Sequence, residues 1–122
     1  MSKTALPKTV LLCEDEVLLA RLFERSLKRL GMTVHLAFDG EEALRLVDKQ
    51  IFDIAIIDVH LPIIEGISVL RKIQATQPAC ISIITSGDLD SVYTELQENP
   101  PTYRLAKPFR IEKLLQLVNS TL

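Results

Sequence analysis

The chain has 122 residues, 48% of them apolar and 25% charged, with a net charge of −2. That length suits one domain with a single sizeable core, and the composition excludes a disordered chain. Without a basic block, with few aromatics and without a long apolar run, the sequence offers neither a nucleic-acid footprint nor a membrane span.

Short apolar runs alternate along the chain with segments of helical period. The N-terminal MSKTALPKT lacks the apolar core of a signal peptide, so a soluble cytoplasmic protein is expected. TVLLC (9–13) is brief and branched and reads as a strand. Leu19, Leu22, Phe23, Leu27 and Leu30 then fall at helical spacing, and Gly31 stands where it can end that helix. TVHLA (33–37) reads as a second strand. Asp39 followed by Glu42 has the pattern of an N-cap and its capping-box partner, opening a helix through Ala43, Leu46 and Val47. FDIAIID (52–58) reads as the third strand, and Gly66 to Ile73 as a helix with Ile67, Leu70 and Ile73 inward. CISIIT (80–85) reads as the fourth. A weaker helical pattern passes through Val92 and Leu96 and ends before Pro100 and Pro101. TYRLA (102–106) reads as the fifth strand, and Ile111, Leu114, Leu115, Val118 and Leu122 give the cleanest helical stripe. Cys13 and Cys80 sit inside apolar stretches, which predicts buried reduced thiols rather than a disulfide.

Five strands alternating with five helices imply parallel strands, because each helix is a crossover. The first, third and fourth runs are apolar on both faces, as a sheet covered on both sides requires. The fold class is therefore α/β, a doubly wound domain. Such sheets bind ligands outside the carboxyl ends of their strands, where strand order reverses.

Polar groups stand at those ends. Glu14, Asp15 and Glu16 follow the first strand, Asp58 ends the third, Thr85, Ser86 and Gly87 end the fourth, and Lys107 and Pro108 follow the fifth. If the first and third strands are neighbours, their carboxylates converge, and like charges at close range call for a cation. Oxygen-only ligands suit Mg²⁺ or Mn²⁺ rather than Zn²⁺. Taken singly, each group also has an ordinary reading. The acids could favour a helix N-terminus, Asp58 could cap a turn, Thr85–Ser86–Gly87 could be a capped turn, and Lys107 could be solvated. Their joint occurrence at four strand ends is harder to ascribe to capping.

With these residues in view, the sequence resembles the receiver domains of two-component response regulators, chemotaxis regulators among them, along essentially its whole length. The matching motifs are Glu14–Asp15, Asp58 within DVHLPIIEG, Thr85–Ser86, and Lys107–Pro108 in AKPF. The resemblance implies a flavodoxin-like (βα)5 fold with strand order 2-1-3-4-5. It implies that Asp58 accepts a phosphoryl group from a phosphohistidine on a sensor kinase or phosphotransfer protein. Asp15 and Asp58 would ligate Mg²⁺ with the backbone carbonyl of His60, and Glu14 would act through water. Lys107 and the Thr85 hydroxyl would bind phosphoryl oxygens, Ser86 would leave room for the group, and Gly66 would relieve the turn into the third helix. The Lys107–Pro108 peptide bond is expected to be cis. His60, near the mouth of the site, stands where the family tunes the lifetime of the phosphoryl group, whereas His35 reads as structural.

One region departs from the family pattern. An aromatic residue usually stands three positions before the lysine, where this chain has Arg104, with Tyr103 one residue earlier. Alternation along a strand should send Tyr103 to the opposite face. The segment ENPPT also replaces the family's small-residue turn, so unusual coupling to the fourth helix and fifth strand is expected. Residues 1–122 are expected to form a single receiver domain without an output domain, presenting the fourth helix, fifth strand and fifth helix to a target. The competing reading is a pseudo-receiver that binds partners without phosphorylation. An FMN-binding flavodoxin is disfavoured by CEDE where a phosphate loop belongs, and a dehalogenase-like phosphatase by His60 where a second acid belongs.

Overall fold

The branched runs at 9–13, 33–37 and 54–58 are extended because Val, Ile and Thr suit a pleated surface covered by helices. A computed structural model describes residues 8–121. The expected place of Leu122 in the last helical stripe, and the N-terminal segment 1–7, lie outside the described residues. Strands β1 (Thr9–Cys13), β2 (Thr33–Ala37), β3 (Ile54–Asp58), β4 (Ile81–Ser86) and β5 (Tyr103–Ala106) alternate with five helices. These are α1 (Val17–Arg29), α2 (Gly40–Lys49), α3 (Gly66–Thr76), α4 (Tyr93–Glu98) and α5 (Ile111–Asn119). All ladders are parallel, and the sheet order is β2-β1-β3-β4-β5. The chain therefore has the flavodoxin-like fold that the sequence implied.

Alternation along the strands divides the core in two. Leu11, Cys13, Ala55, Ile57 and Ile84 pack with Val47, Leu70, Ile73 and Leu96 under α2, α3 and α4. Val10, Leu12, Ile54, Ile56, Ile83 and Leu105 pack with Phe23, Leu27, Leu114 and Val118 under α1 and α5. His35 sits edge-on to Phe52, in keeping with a structural role. Cys13 is buried, but Cys80 is only half-buried, which corrects the expectation of two buried thiols. Burial pushes both thiols up, Cys80 to about 12.

Other differences are local and have physical causes. Leu22 and Leu30 are exposed, so the stripe on α1 is narrower than the apolar spacing suggested. β3 begins at Ile54 because the Phe52 N–H goes to the Gln77 Oε1 (2.8 Å) instead of a strand. α3 runs one turn past Ile73 before Pro78 intervenes. Val92 belongs to a 3-10 turn, Leu89–Val92, so α4 is only six residues long. At the Asp39 cap, the side chain accepts from the Glu42 N–H (2.7 Å), while Glu42 Oε1 accepts from the Phe38 N–H (2.8 Å), one residue earlier than in the standard box.

Candidate functional site

Register brings the polar strand ends together. Cys13 pairs with Ile57, Asp58 with Thr85, and Ser86 with Ala106, so the residues that follow emerge along one edge of the sheet. There the Lys107 ammonium donates to Glu14 Oε1 (2.7 Å) and Asp58 Oδ2 (2.8 Å). Glu14 is 2% exposed and Asp58 5%, so both carboxylates are largely out of water. Each uses its second oxygen on backbone: Glu14 Oε2 accepts from the Glu16 N–H (3.1 Å), and Asp58 Oδ1 from the His60 N–H (3.0 Å). Asp15 is exposed at the rim, yet its carboxylate, with those of Glu14 and Asp58, offers oxygens all within 4.8 Å of one another. Three carboxylates without histidine nitrogen or cysteine sulfur fit a hard divalent cation.

Electrostatics follow from this burial. Removal from water pushes the Glu14 carboxyl above its usual range, and the nearby Asp58 charge adds to it, outweighing the Lys107 hydrogen bond. Burial alone would push the Lys107 ammonium down, but its bonds to Asp58 and Glu14 more than offset that and leave it above its usual value. One ammonium thus faces several acids in a poorly hydrated crevice, and the acids outnumber it.

The surrounding residues set the shape. Thr85 and Ser86 are buried, and the Ser86 Oγ accepts from the Asp88 N–H (2.9 Å), which shapes the turn beyond β4. Lys107 is anchored by its own N–H to the Ser86 carbonyl (2.7 Å), and the Lys107–Pro108 peptide bond is cis. Gly66 is required for closeness rather than for an unusual φ, which corrects the turn-relief reading: a Cβ there would lie 2.0 Å from the Asp58 carbonyl oxygen. The His60 side chain is exposed, and its backbone, not its ring, contacts Asp58. Tyr103 and Arg104 do face opposite ways. Tyr103 packs with the α1–α5 cluster, its hydroxyl 3.3 Å from Ser120 Oγ, while Arg104 donates to the Leu96 carbonyl and Gln97 Oε1 on α4 (3.2 Å each).

Sequence reasoning missed Gly40, Ile63 and Arg71. Gly40 lets α2 approach the loop after β3, since a Cβ there would lie 1.9 Å from the Ile64 carbonyl oxygen. A glycine opening a helix just after an N-cap was the available signal. Ile63 has a positive φ, and nothing in the sequence marks it. Arg71 ties α3 to α4 across 28 residues of chain, which local spacing does not reveal.

The model of the response regulator receiver domain family matches residues 10–119. The chain belongs to this family. Among curated relatives it is 34% identical over 114 residues to the response regulator ArlR of Staphylococcus aureus, covering 93% of the chain and 52% of that protein. It is 27% identical over 118 residues to the peroxide stress-activated histidine kinase mak3 of Schizosaccharomyces pombe, covering 89% of the chain and 5% of that kinase. The receiver domain thus spans about half the length of ArlR and a small part of mak3. Among solved structures, the receiver domain of the sensor histidine kinase PA1611 of Pseudomonas aeruginosa superposes with a TM-score of 0.82 at 27% identity, covering 93% of this chain and 96% of that one. That structure has a magnesium ion coordinated in its active site cleft. Receiver domains of this family act in two-component signalling and interact with histidine kinases and output domains. No helix among the described residues is long and apolar enough to cross a membrane.

Proposed function

We propose that Asp58 is the phosphoacceptor of a phosphorelay. A carboxylate oxygen attacks the phosphorus of a phosphohistidine, the P–N bond breaks, its electron pair stays on the imidazole, and Asp58 becomes an aspartyl phosphate. The observation that carries this reading is the single Lys107 ammonium bonded to both Asp58 and Glu14 at the strand-end crevice. Phosphoryl transfer asks the protein chiefly for positioning and charge neutralisation. The His60 N–H aims the Asp58 carboxylate, and Lys107, held by its backbone to Ser86, is placed to turn its ammonium onto a phosphoryl oxygen. The Thr85 hydroxyl binds a second oxygen, and the small Ser86 leaves space. Asp15, Asp58 and the His60 carbonyl would hold Mg²⁺ or Mn²⁺, with Glu14 acting through water. The bound ion would neutralise charge on the transferred group.

The message leaves through β5. Tyr103 is engaged with α5 and Arg104 with α4, so Arg104 stands where an aromatic switch is usual, and Pro108 fixes the turn beyond the lysine. The α4–β5–α5 face is the surface for a downstream target or output domain in the cytoplasm, with no role in direct nucleic-acid binding. The phosphorylation-independent alternative gains no support from the site, where the acids, the threonine and the lysine are all in place.

The test is incubation with Mg²⁺ and acetyl phosphate, then with a panel of phosphorylated histidine kinases and phosphotransfer proteins, followed by intact mass measurement. One added phosphoryl group in the wild type and none in Asp58→Ala is the expected result. A wild type that gains nothing from any donor would overturn the reading in favour of the pseudo-receiver.

A further inference from the structure

One side chain joins β5, the strand that leads to Lys107, to α4. Arg104 donates to the Leu96 carbonyl and to Gln97 Oε1, 3.2 Å each. Among the described residues these are the only hydrogen bonds between the two elements. Little else fixes α4 on the sheet. Leu96 is its one buried residue, joined in the core by Val92 of the preceding 3-10 turn. Elements held this weakly are the ones that move when a protein switches.

The other end of the contact reaches the crevice through the β4–β5 ladder. Thr85 lies opposite Leu105 and Ser86 opposite Ala106, and the Lys107 N–H donates to the Ser86 carbonyl (2.7 Å). A group bound by Thr85 and Lys107 therefore acts on β4 and β5 together, beginning one residue from Arg104. Arg71 and Gln74 also hold carbonyls of α4 and of the segment after it. They do so from α3, which is outside this ladder.

The chemistry of the side chain decides what kind of contact this is. An aromatic ring at this position can leave the helix and bury itself. A guanidinium cannot do so without a buried partner for its charge. Arg104 is exposed, makes no ion pair among the described residues, and has only neutral acceptors. Two such bonds bias the position of α4, yet a phosphoryl group with differential contacts to the site can outweigh them. We propose that Arg104 is an autoinhibitory latch, whose guanidinium holds α4 in its resting position until phosphorylation of Asp58 releases it. The switch in this chain is the breaking of an outward contact rather than the burial of a side chain. The proposal rests on the phosphoacceptor reading of Asp58 and deepens it, by naming what the phosphoryl group works against.

Linkage fixes the sign of the test: if the phosphoryl group must break the latch, removing the latch must tighten the site. The probe is beryllofluoride, a phosphoryl analogue, titrated with Mg²⁺ into the wild type, Arg104→Ala, Gln97→Ala and Arg71→Ala. Affinity is read by fluorine nuclear magnetic resonance, and α4 by amide hydrogen exchange. Arg104→Ala is expected to bind about fivefold more tightly than the wild type. Gln97→Ala, which removes one acceptor from the exposed side of α4 and leaves β5 untouched, is expected to gain about twofold. Arg71→Ala loosens α4 from α3 alone and is expected to bind as the wild type does. Saturation with the analogue is expected to speed exchange in α4 of the wild type by about fivefold and to change Arg104→Ala little. Unchanged affinity in Arg104→Ala would overturn the proposal. Weaker binding would overturn it too, by placing Arg104 among the groups that hold the phosphoryl oxygens. An equal gain in Arg71→Ala would show that any loosening of α4 suffices, and the latch would fall. A wild type that binds no analogue and gains no mass from any donor overturns the phosphoacceptor reading and the latch together, before any variant is compared.

Discussion

At Glu14 and Asp58, each carboxylate divides its two oxygens between a backbone N–H and the Lys107 ammonium. Capping and chemistry, which the sequence presents as alternatives, are therefore one arrangement: the cap is what aims the oxygen. Residue spacing revealed that acids stand at the strand ends but could not reveal this division, because it depends on which oxygen turns inward. The cost of the arrangement falls on Glu14, whose carboxyl is pushed up by burial. In the native state it holds its proton more tightly than in the unfolded chain, so stability falls as pH rises from about 4.5 through its own higher value. Glu14→Gln keeps an oxygen for Lys107 and removes the charge, at the cost of the bond from the Glu16 N–H, which the amide nitrogen cannot accept. Without divalent cations at pH 7, thermal unfolding should therefore occur at a higher temperature in Glu14→Gln than in the wild type. The difference should shrink as the pH is lowered towards 4, where Glu14 of the wild type is protonated.

Among the elements, α4 is the one most dependent on distant side chains. It has six residues, too few for a helix to hold itself in water. Arg71 on α3 donates to the carbonyls of Glu95 and Asn99, Gln74 donates to those of Asn99 and Pro100, and Arg104 on β5 donates to that of Leu96. These bonds satisfy carbonyls that a helix C-terminus leaves without partners. The sequence shows a weak helix cut short by two prolines. It does not show the clamp, whose members come from two other elements. β4 and β5 are joined in a similar way beyond their ladder: the Ser82 N–H donates to Thr102 Oγ1 and the Thr102 N–H to Ser82 Oγ, both at 3.1 Å. Arg71→Ala should speed amide hydrogen exchange across α4 by about tenfold, the effect of losing roughly 1.4 kcal/mol of local stability. Exchange in β3 should stay unchanged, and faster exchange throughout the domain would contradict a local clamp.

For the molecule as a whole, all five strands and the parallel architecture were legible from the alternation of apolar runs with helical stripes. The strand order was legible only through the family's motifs, because periodicity does not say which strands are neighbours. That order puts β1 beside β3 and crowds acids at one edge, so binding of a dication should stabilise the native state as a whole. At a tenfold excess over Kd, Mg²⁺ should add about 1.4 kcal/mol, or roughly 5 °C in a domain of this size. Asp15→Asn should remove most of the shift, and chelation should reverse it. A thermal shift series with and without Mg²⁺ checks both.

The two sulfur atoms described with the core have a practical consequence for watching this domain at work. Cys13 is enclosed, and burial pushes the Cys80 thiol up to about 12, so at neutral pH neither is the thiolate that reacts. A cysteine introduced in place of Tyr93, which is 58% exposed on α4, would be the thiol that a thiol-selective alkylating dye meets most readily. A fluorophore can therefore be fixed to the helix next to Arg104 with both native cysteines left in place, and any displacement of that helix in the presence of a phosphodonor would be read as an optical signal.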